Sequence, residues 1–234
     1  MNPVLELRDA HRRYGSGATE VVALNGVDFQ VAPGELVAVM GPSGSGKSTL
    51  LNLAGGLDVA TAGAVIVDGV DVASLSAAGL AALRRTHVGI VFQELNLLPM
   101  LTAVENVMLP LELGGSSAKA ARGAARSALT LVGLGDKCDR YPDDLSGGEQ
   151  QRVAIARAVV GDRPLVLADE PTGALDTATG DRIIELLADR TATGTAVVLV
   201  THEPRIASWA DRVVWLRDGD VVDEVSATQT AVRS

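Results

Sequence analysis

Four runs in this chain, Leu36 to Met40, Val88 to Phe92, Leu165 to Ala168 and Ala196 to Val200, are apolar at nearly every position. A strand with one wet face alternates polar and apolar residues, so runs this uniform require cover on both faces. Parallel strands flanked by helices meet that requirement, and the chain reads as α/β with a mainly parallel sheet. Each run is followed at once by a polar or glycine-rich group: Gly41 onward, Gln93, Asp169 with Glu170, and Thr201 with His202. Ligands of open α/β sheets sit beyond the carboxyl ends of the strands, so these four groups are expected to converge.

The other segments fit around such a core. Val4 to Leu7, Val21 to Val22, Val27 to Val31 and Val65 to Asp68 read as short strands of a small β layer. Between Gln93 and Leu165 the alternation of runs stops. Thr102 to Leu111, Ser117 to Val132 and Gly147 to Val160 there read as helices. The pattern predicts one domain over residues 1–234, with a helical subdomain (94–161) inserted between the α/β segments 1–93 and 162–234. Thr177 to Arg190 and Arg205 to Ala210 are further covering helices. Val213 to Leu216, the Asp218-Gly219 turn and Val221 to Val225 read as a closing hairpin, and the polar tail from Ser226 is expected to fray.

Composition narrows the function. Twenty basic residues against 29 acidic ones leave a net charge of −9, which disfavours a nucleic-acid partner held by bulk charge. Mean hydropathy is +0.24, yet no stretch approaches the roughly 18 continuous apolar residues of a membrane span. With aromatics at only 3%, the apolar surplus is Ala, Val and Leu. The single cysteine, Cys138, can close no intrachain disulfide and has no metal-ligand set around it, as expected for a reducing, cytosolic setting. Residues 1–6 carry neither the basic nor the apolar region of a secretory signal, so export is not expected.

The segment Gly41-Pro42-Ser43-Gly44-Ser45-Gly46-Lys47-Ser48-Thr49 follows a strand and opens a helix containing Leu50, Leu51 and Leu53. That is the context of a P-loop. Glycines let backbone N–H groups curl around phosphate oxygens, the helix N-terminus adds positive dipole, and Lys47 supplies a point charge. Ser48 is placed to ligate Mg2+, with Thr49 nearer the α-phosphate. Beside a P-loop, the adjacent carboxylates Asp169 and Glu170 divide their work: Asp169 toward the metal, Glu170 toward the attacking water.

Leu145-Ser146-Gly147-Gly148-Glu149-Gln150-Gln151-Arg152 contains a capping box, with Ser146 and Glu149 in the S-x-x-E relation. A cap does not account for Gly147 and Gly148, each costing about 1 kcal/mol relative to Ala inside a helix. Glycines at a helix start suit an approaching anion. A second anion-binding helix end suggests a nucleotide gripped from two sides.

The P-loop, Gln93, LSGGEQQR, LVLADE, the Gly173-Ala174-Leu175-Asp176 segment and His202 together resemble the ATP-binding subunits of ABC transporters, in order and context, over essentially the whole chain. The resemblance implies an ABC ATPase fold, ATP and Mg2+ as ligands, and two such subunits pairing head to tail as an ATP-dependent homodimer or as a heterodimer with a related ATPase. Each ATP would lie between the P-loop of one subunit and Ser146, Gly147, Gly148 and Glu149 of the other. The resemblance also implies that Gln93 contacts Mg2+ and the attacking water at the membrane partner's interface, that His202 contacts the γ-phosphate, that Asp176 links the two sites, and that Tyr14 stacks on adenine. Phe92 to Val107 and Pro171 to Asp176 are similar to the macrolide-exporter and lipoprotein-release branch, and cell-division and amino-acid-import relatives share much of this. The implied protein sits on the cytoplasmic face of the membrane and drives an integral membrane permease, by export or, alternatively, in import or mechanical signalling. Soluble ABC ATPases that act on ribosomes or DNA ends usually carry two ATPase units or a long coiled-coil insertion, and this sequence has neither.

His11 and His87 are expected in surface or packing roles, Cys138 as a structural residue, and Trp209 and Trp215 in the core.

Overall fold

The structure, a computed structural model, describes residues 2–226; of the tail expected to fray from Ser226, Ser226 itself pairs with Arg212 in the last strand, and the rest lies outside the described residues. In chain order the elements are β1 (Leu5–Tyr14), β2 (Val21–Val31), β3 (Leu36–Met40), α1 (Lys47–Ala54), β4 (Ala62–Val67), β5 (Val70–Asp71), α2 (Ala77–Thr86) and β6 (Val88–Val91). Then follow α3 (Ala103–Leu113), α4 (Ala118–Leu131), α5 (Gly147–Val159), β7 (Leu165–Asp169), α6 (Thr177–Thr191), β8 (Ala196–Val200), α7 (Pro204–Ala207), β9 (Arg212–Arg217) and β10 (Asp220–Ser226).

The main sheet has the order β10-β9-β3-β8-β7-β6 and is parallel except for the β9/β10 hairpin. A separate antiparallel sheet has the order β2-β1-β4-β5. The uniform apolarity of β3 follows from its two-sided cover. Leu36, Ala38 and Met40 join a cluster with Val104, Leu129, Ile155 and Ile183 from the helices, whereas Val37 and Val39 join Leu5, Leu24 and Val65 of the antiparallel sheet and Leu50 of α1. One apolar cluster runs from the sheet into α3, α4 and α5, so the inserted helices share a core with the sheet.

Helix starts follow their caps. Thr102 with Glu105, and Ser146 with Glu149, form complete capping boxes, while Ser117 and Asp176 each cap through one side chain. No helix of the described residues is long and apolar enough to cross a membrane.

Several elements depart from expectation. β1 and β2 form one long hairpin rather than short pieces, because register shifts and a positive φ of 46° at Asp9 interrupt the polar/apolar alternation without ending the pairing. Helix α2 was not expected; Ser76 caps it by accepting from Gly79 N, but only Leu83 is buried, so its apolar stripe is faint. The predicted helix from Arg205 to Ala210 is the single turn α7. Trp209 and Trp215 are 42% and 39% exposed rather than in the core: on β9 the buried positions are Val214 and Leu216, which leaves Trp215 on the opposite face. Cys138 is buried, and its thiol is raised above its ordinary pKa mainly by that burial.

Gly89 marks where sheet and inserted helices meet most closely, since a Cβ there would lie 2.0 Å from the Ala158 carbonyl oxygen of α5. Gly89→Ala is therefore expected to force β6 and α5 apart and destabilise the fold by about 1–3 kcal/mol, as overpacked cores do. Urea denaturation would register this as a lower midpoint; an unchanged midpoint would contradict the contact.

Candidate nucleotide-binding site

The loop from Gly41 to Gly46 leaves the carboxyl end of β3 and turns directly into α1. Its glycines are set by close approach: a Cβ on Gly41 would sit 2.1 Å from Leu216 O, and one on Gly46 would sit 2.4 Å from Ala23 O. Gly46 is the N-cap of α1 and offers no side-chain acceptor, so the first-turn amides carry no intramolecular side-chain cap. Lys47 Nζ donates to Gly41 O and Pro42 O, each at 2.8 Å, which folds its charge back over the loop.

Ser48 Oγ donates to Asp169 Oδ2 at 2.9 Å, joining the start of α1 to the end of β7. Burial raises the Asp169 carboxyl above its ordinary range, partly offset by the Ser48 hydrogen bond and by Lys47. Glu170 has φ of +48°, uncommon for a residue with a side chain, and its backbone N–H donates to Val200 O of β8. This turn holds its Oε1 at 2.7 Å from His202 Nδ1, while Oε2 is buried without a partner. His202 is held above its ordinary pKa of 6.5, chiefly by the hydrogen bond to Glu170 and then by its charge.

These groups border a cavity of about 730 Å³. Of the residues singled out in the sequence, Gly41, Pro42, Ser43, Gly44, Gly46, Lys47, Ser48, Thr49, Gln93, Asp169, Glu170, Gly173, Ala174 and His202 line it. Ser45 is buried beneath the loop with its hydroxyl unpartnered. The four strand ends do converge, as expected of this sheet.

The structure places the remaining candidates elsewhere. Ser146 and Gly147 are exposed, away from this cavity, and Gly148 packs beside Ala174 and Leu175. Glu149 contacts the Lys137 ammonium and accepts from Ser146 N, and these partners bring its pKa down to about 2. Asp176 is exposed and caps α6, accepting from Thr179 N at 3.0 Å and Thr179 Oγ1 at 2.7 Å. Tyr14 pairs across the β1/β2 hairpin with Val21, a residue of the cavity wall. Its hydroxyl donates to Asp58 Oδ2 at 2.8 Å, and its ring lies 4.5 Å from the Arg12 guanidinium, so a local carboxylate and cation hold it. The wall nearby is built by Val21, Val22 and Ala23 of β2.

One residue passed over in the sequence enters the cavity from α5. Gln151 lies four residues beyond Gly147, and helical spacing puts the two on one face. That spacing was the available signal.

A mainly parallel sheet with a P-loop at the end of β3, paired carboxylates at the end of β7 and an antiparallel β layer define an ATPase of the ABC class. The family model described as ABC transporter matches residues 24–173, and the chain belongs to that family. Among its relatives are the macrolide export ATP-binding/permease protein MacB of Shigella flexneri, 46% identical over 222 residues, and MacB of Hyphomonas neptunium, 45% identical over 229 residues. These alignments cover 95% and 98% of this chain but only 34% and 36% of the relatives, so the chain spans about a third of their length. A solved dimeric, post-hydrolysis state of the ATP-binding cassette MJ0796 bound to ADP and Pi matches with a TM-score of 0.90 and 42% identity, covering 95% of this chain and 98% of that one.

The Glu170–His202 contact has a pH consequence. Because the folded pKa of His202 is raised, the imidazolium and the stabilisation it draws from Glu170 are fully present below about 6.5 and fade as pH rises through the raised value. Glu170→Gln is expected to return the His202 midpoint toward 6.5, read by an NMR titration of the imidazole protons. A midpoint indifferent to that substitution would show that the contact is not made in solution.

Proposed function

We propose that this chain is the ATP-hydrolysing subunit of an ABC transporter, acting on the cytoplasmic face of a membrane and powering a permease of the export type. The observation that carries the chemistry is the junction of α1 with the ends of β7 and β8, where Lys47, Ser48, Asp169, Glu170 and His202 meet at one cavity. The free amides of the P-loop and Lys47 would receive the phosphates of ATP. The wall formed by Val21 and Val22, 61% and 39% exposed, offers apolar contact for the base.

Mg2+ suits the donors present: a hydroxyl and a carboxylate 2.9 Å apart, with the Gln93 side chain on the same cavity, are the hard oxygen ligands such an ion takes. When bound, the ion would neutralise charge on the terminal phosphates. Glu170 would accept the proton of the attacking water on Oε2, once that buried and unpartnered oxygen is turned toward the nucleotide, while His202 holds the other oxygen.

The exposed Ser146 and Gly147 at the start of α5 support a head-to-tail dimer in which Ser146, Gly147, Gly148 and Glu149 close over the ATP of the other subunit, with Asp176 at the junction. The solved relatives are described as dimeric. ATP would then close the dimer, and hydrolysis with phosphate release would reopen it. The permease would dock over an apolar groove that includes Leu57, Phe92, Leu109 and Leu113, with Phe92 immediately before Gln93, so that partner movement reaches the cavity through one residue. The export direction is supported by the relatives named as macrolide export ATP-binding/permease proteins.

Glu170→Gln is expected to keep ATP affinity while cutting turnover by about 10²–10⁴, the range for a lost general base. ATP-loaded Glu170→Gln should also elute as a dimer in size-exclusion chromatography, and full turnover in this variant would refute the role of Glu170. Lys47→Ala removes the only side-chain cation of the P-loop, so its ATP titration should show affinity at least about tenfold weaker, as for a lost charge-assisted contact. Wild-type affinity would be the contrary result.

A further inference from the structure

Two residues of the cavity wall each carry a polar atom that the fold buries and leaves without a partner: Oε2 of Glu170 and Nε2 of Gln151. Gln151 as a whole is only 4% exposed. The two atoms are chemically complementary, since an amide N–H donates and an ionised carboxylate oxygen accepts. Buried groups without partners are rare because each unmade bond is unfavourable, so a pair facing one cavity points to a bond completed in another state. Thr172 Oγ1 is also buried and unpartnered, but Thr172 does not line the cavity and packs instead toward Gly180.

The pair also joins two parts of the fold. Glu170 directly follows β7 of the main sheet, whereas Gln151 projects from α5, one turn beyond Gly147. Glu170 is held on a single oxygen by His202, whose side chain is itself 73% exposed. A carboxylate tethered on one oxygen to a largely exposed partner is poorly oriented for proton transfer, and misplacement by about 1 Å can cost 10²-fold in rate.

We propose that Gln151 is a positioning residue for Glu170: with nucleotide in the cavity, its amide N–H donates to Glu170 Oε2, directly or through one water, and fixes the carboxylate. Each carboxylate oxygen has two acceptor sites, so Oε2 can hold Gln151 and still receive the proton of the attacking water. Because Gln151 and the Ser146–Gly147 terminus belong to one helix, a shift of α5 as its N-terminus engages an anion would be transmitted to the base. The inference rests on Glu170 acting as general base.

Gln151→Leu and Gln151→Met retain most of the side-chain volume and remove the donor, so at least one is expected to fold with an unchanged or higher Tm. ATP affinity and KM should stay at wild-type values while single-turnover kcat falls by about tenfold to a hundredfold. Placed in Glu170→Gln, which lacks the ionised acceptor, the same substitution should cause no further loss. Wild-type kcat in the Gln151 variants, or a loss that multiplies through in the Glu170→Gln background, would overturn the inference. Normal turnover of Glu170→Gln alone would instead remove the base, and this inference with it, whatever the Gln151 variants do.

Discussion

The double burial of β3 is the constraint on which the rest depends. Its alternate side chains supply two apolar clusters, one beneath the antiparallel sheet and one beneath the helices, so neither face can reach water. The strand can therefore meet solvent only at its ends, and the loop at its carboxyl end is pinned between Leu216 and Ala23 by glycines that admit no Cβ. That loop turns into α1 without a side-chain cap, which leaves first-turn amides for a ligand. Phosphate affinity at this position is thus a by-product of how tightly the core closes around one strand.

Electrostatics at the cavity run against the overall charge. A chain with a net charge of −9 would repel a polyanion at long range. Locally, Lys47 lies across the loop, Ser48 donates to Asp169, and His202 is drawn toward its cationic form by Glu170. Burial works on Asp169 in the opposite sense, favouring its neutral form until a cation arrives. Such a carboxylate is poised to respond to charge at short range, where the protein's bulk charge counts for little.

The start of α5 shows how a helix end can be satisfied locally and still stay exposed. Ser146 and Glu149 satisfy each other as a capping box, and Lys137 neutralises the Glu149 carboxylate. The helix end is thereby stable without a ligand and leaves Ser146 and Gly147 exposed. Asp176 does the same for α6, capping the helix while remaining accessible. Residues of this kind are held in place by local hydrogen bonds, so the surface they present is organised before any partner reaches it.

The sequence by itself determined the sheet class, the positions of the four core strands, the starts of α3, α4, α5 and α6 and the family, because apolar periodicity, caps and the P-loop glycines are local properties of the chain. Most of the cavity wall was legible for the same reason: each catalytic candidate directly follows a buried strand, and parallel strands must end on one side. The long β1/β2 hairpin was not legible, since bulges near Asp9 break the alternation that marks a strand while its pairing persists. Helix α2 escaped because it buries little more than Leu83, and the tryptophans turned outward because β9 spends its core face on Val214 and Leu216. Only the tertiary structure decided that the Tyr14 hydroxyl meets Asp58 and its ring meets Arg12, and that Gln151 lines the same cavity as Glu170. Both outcomes depend on which side chains of distant segments come within a few ångströms. Packing decides that, and no local pattern along the chain encodes it.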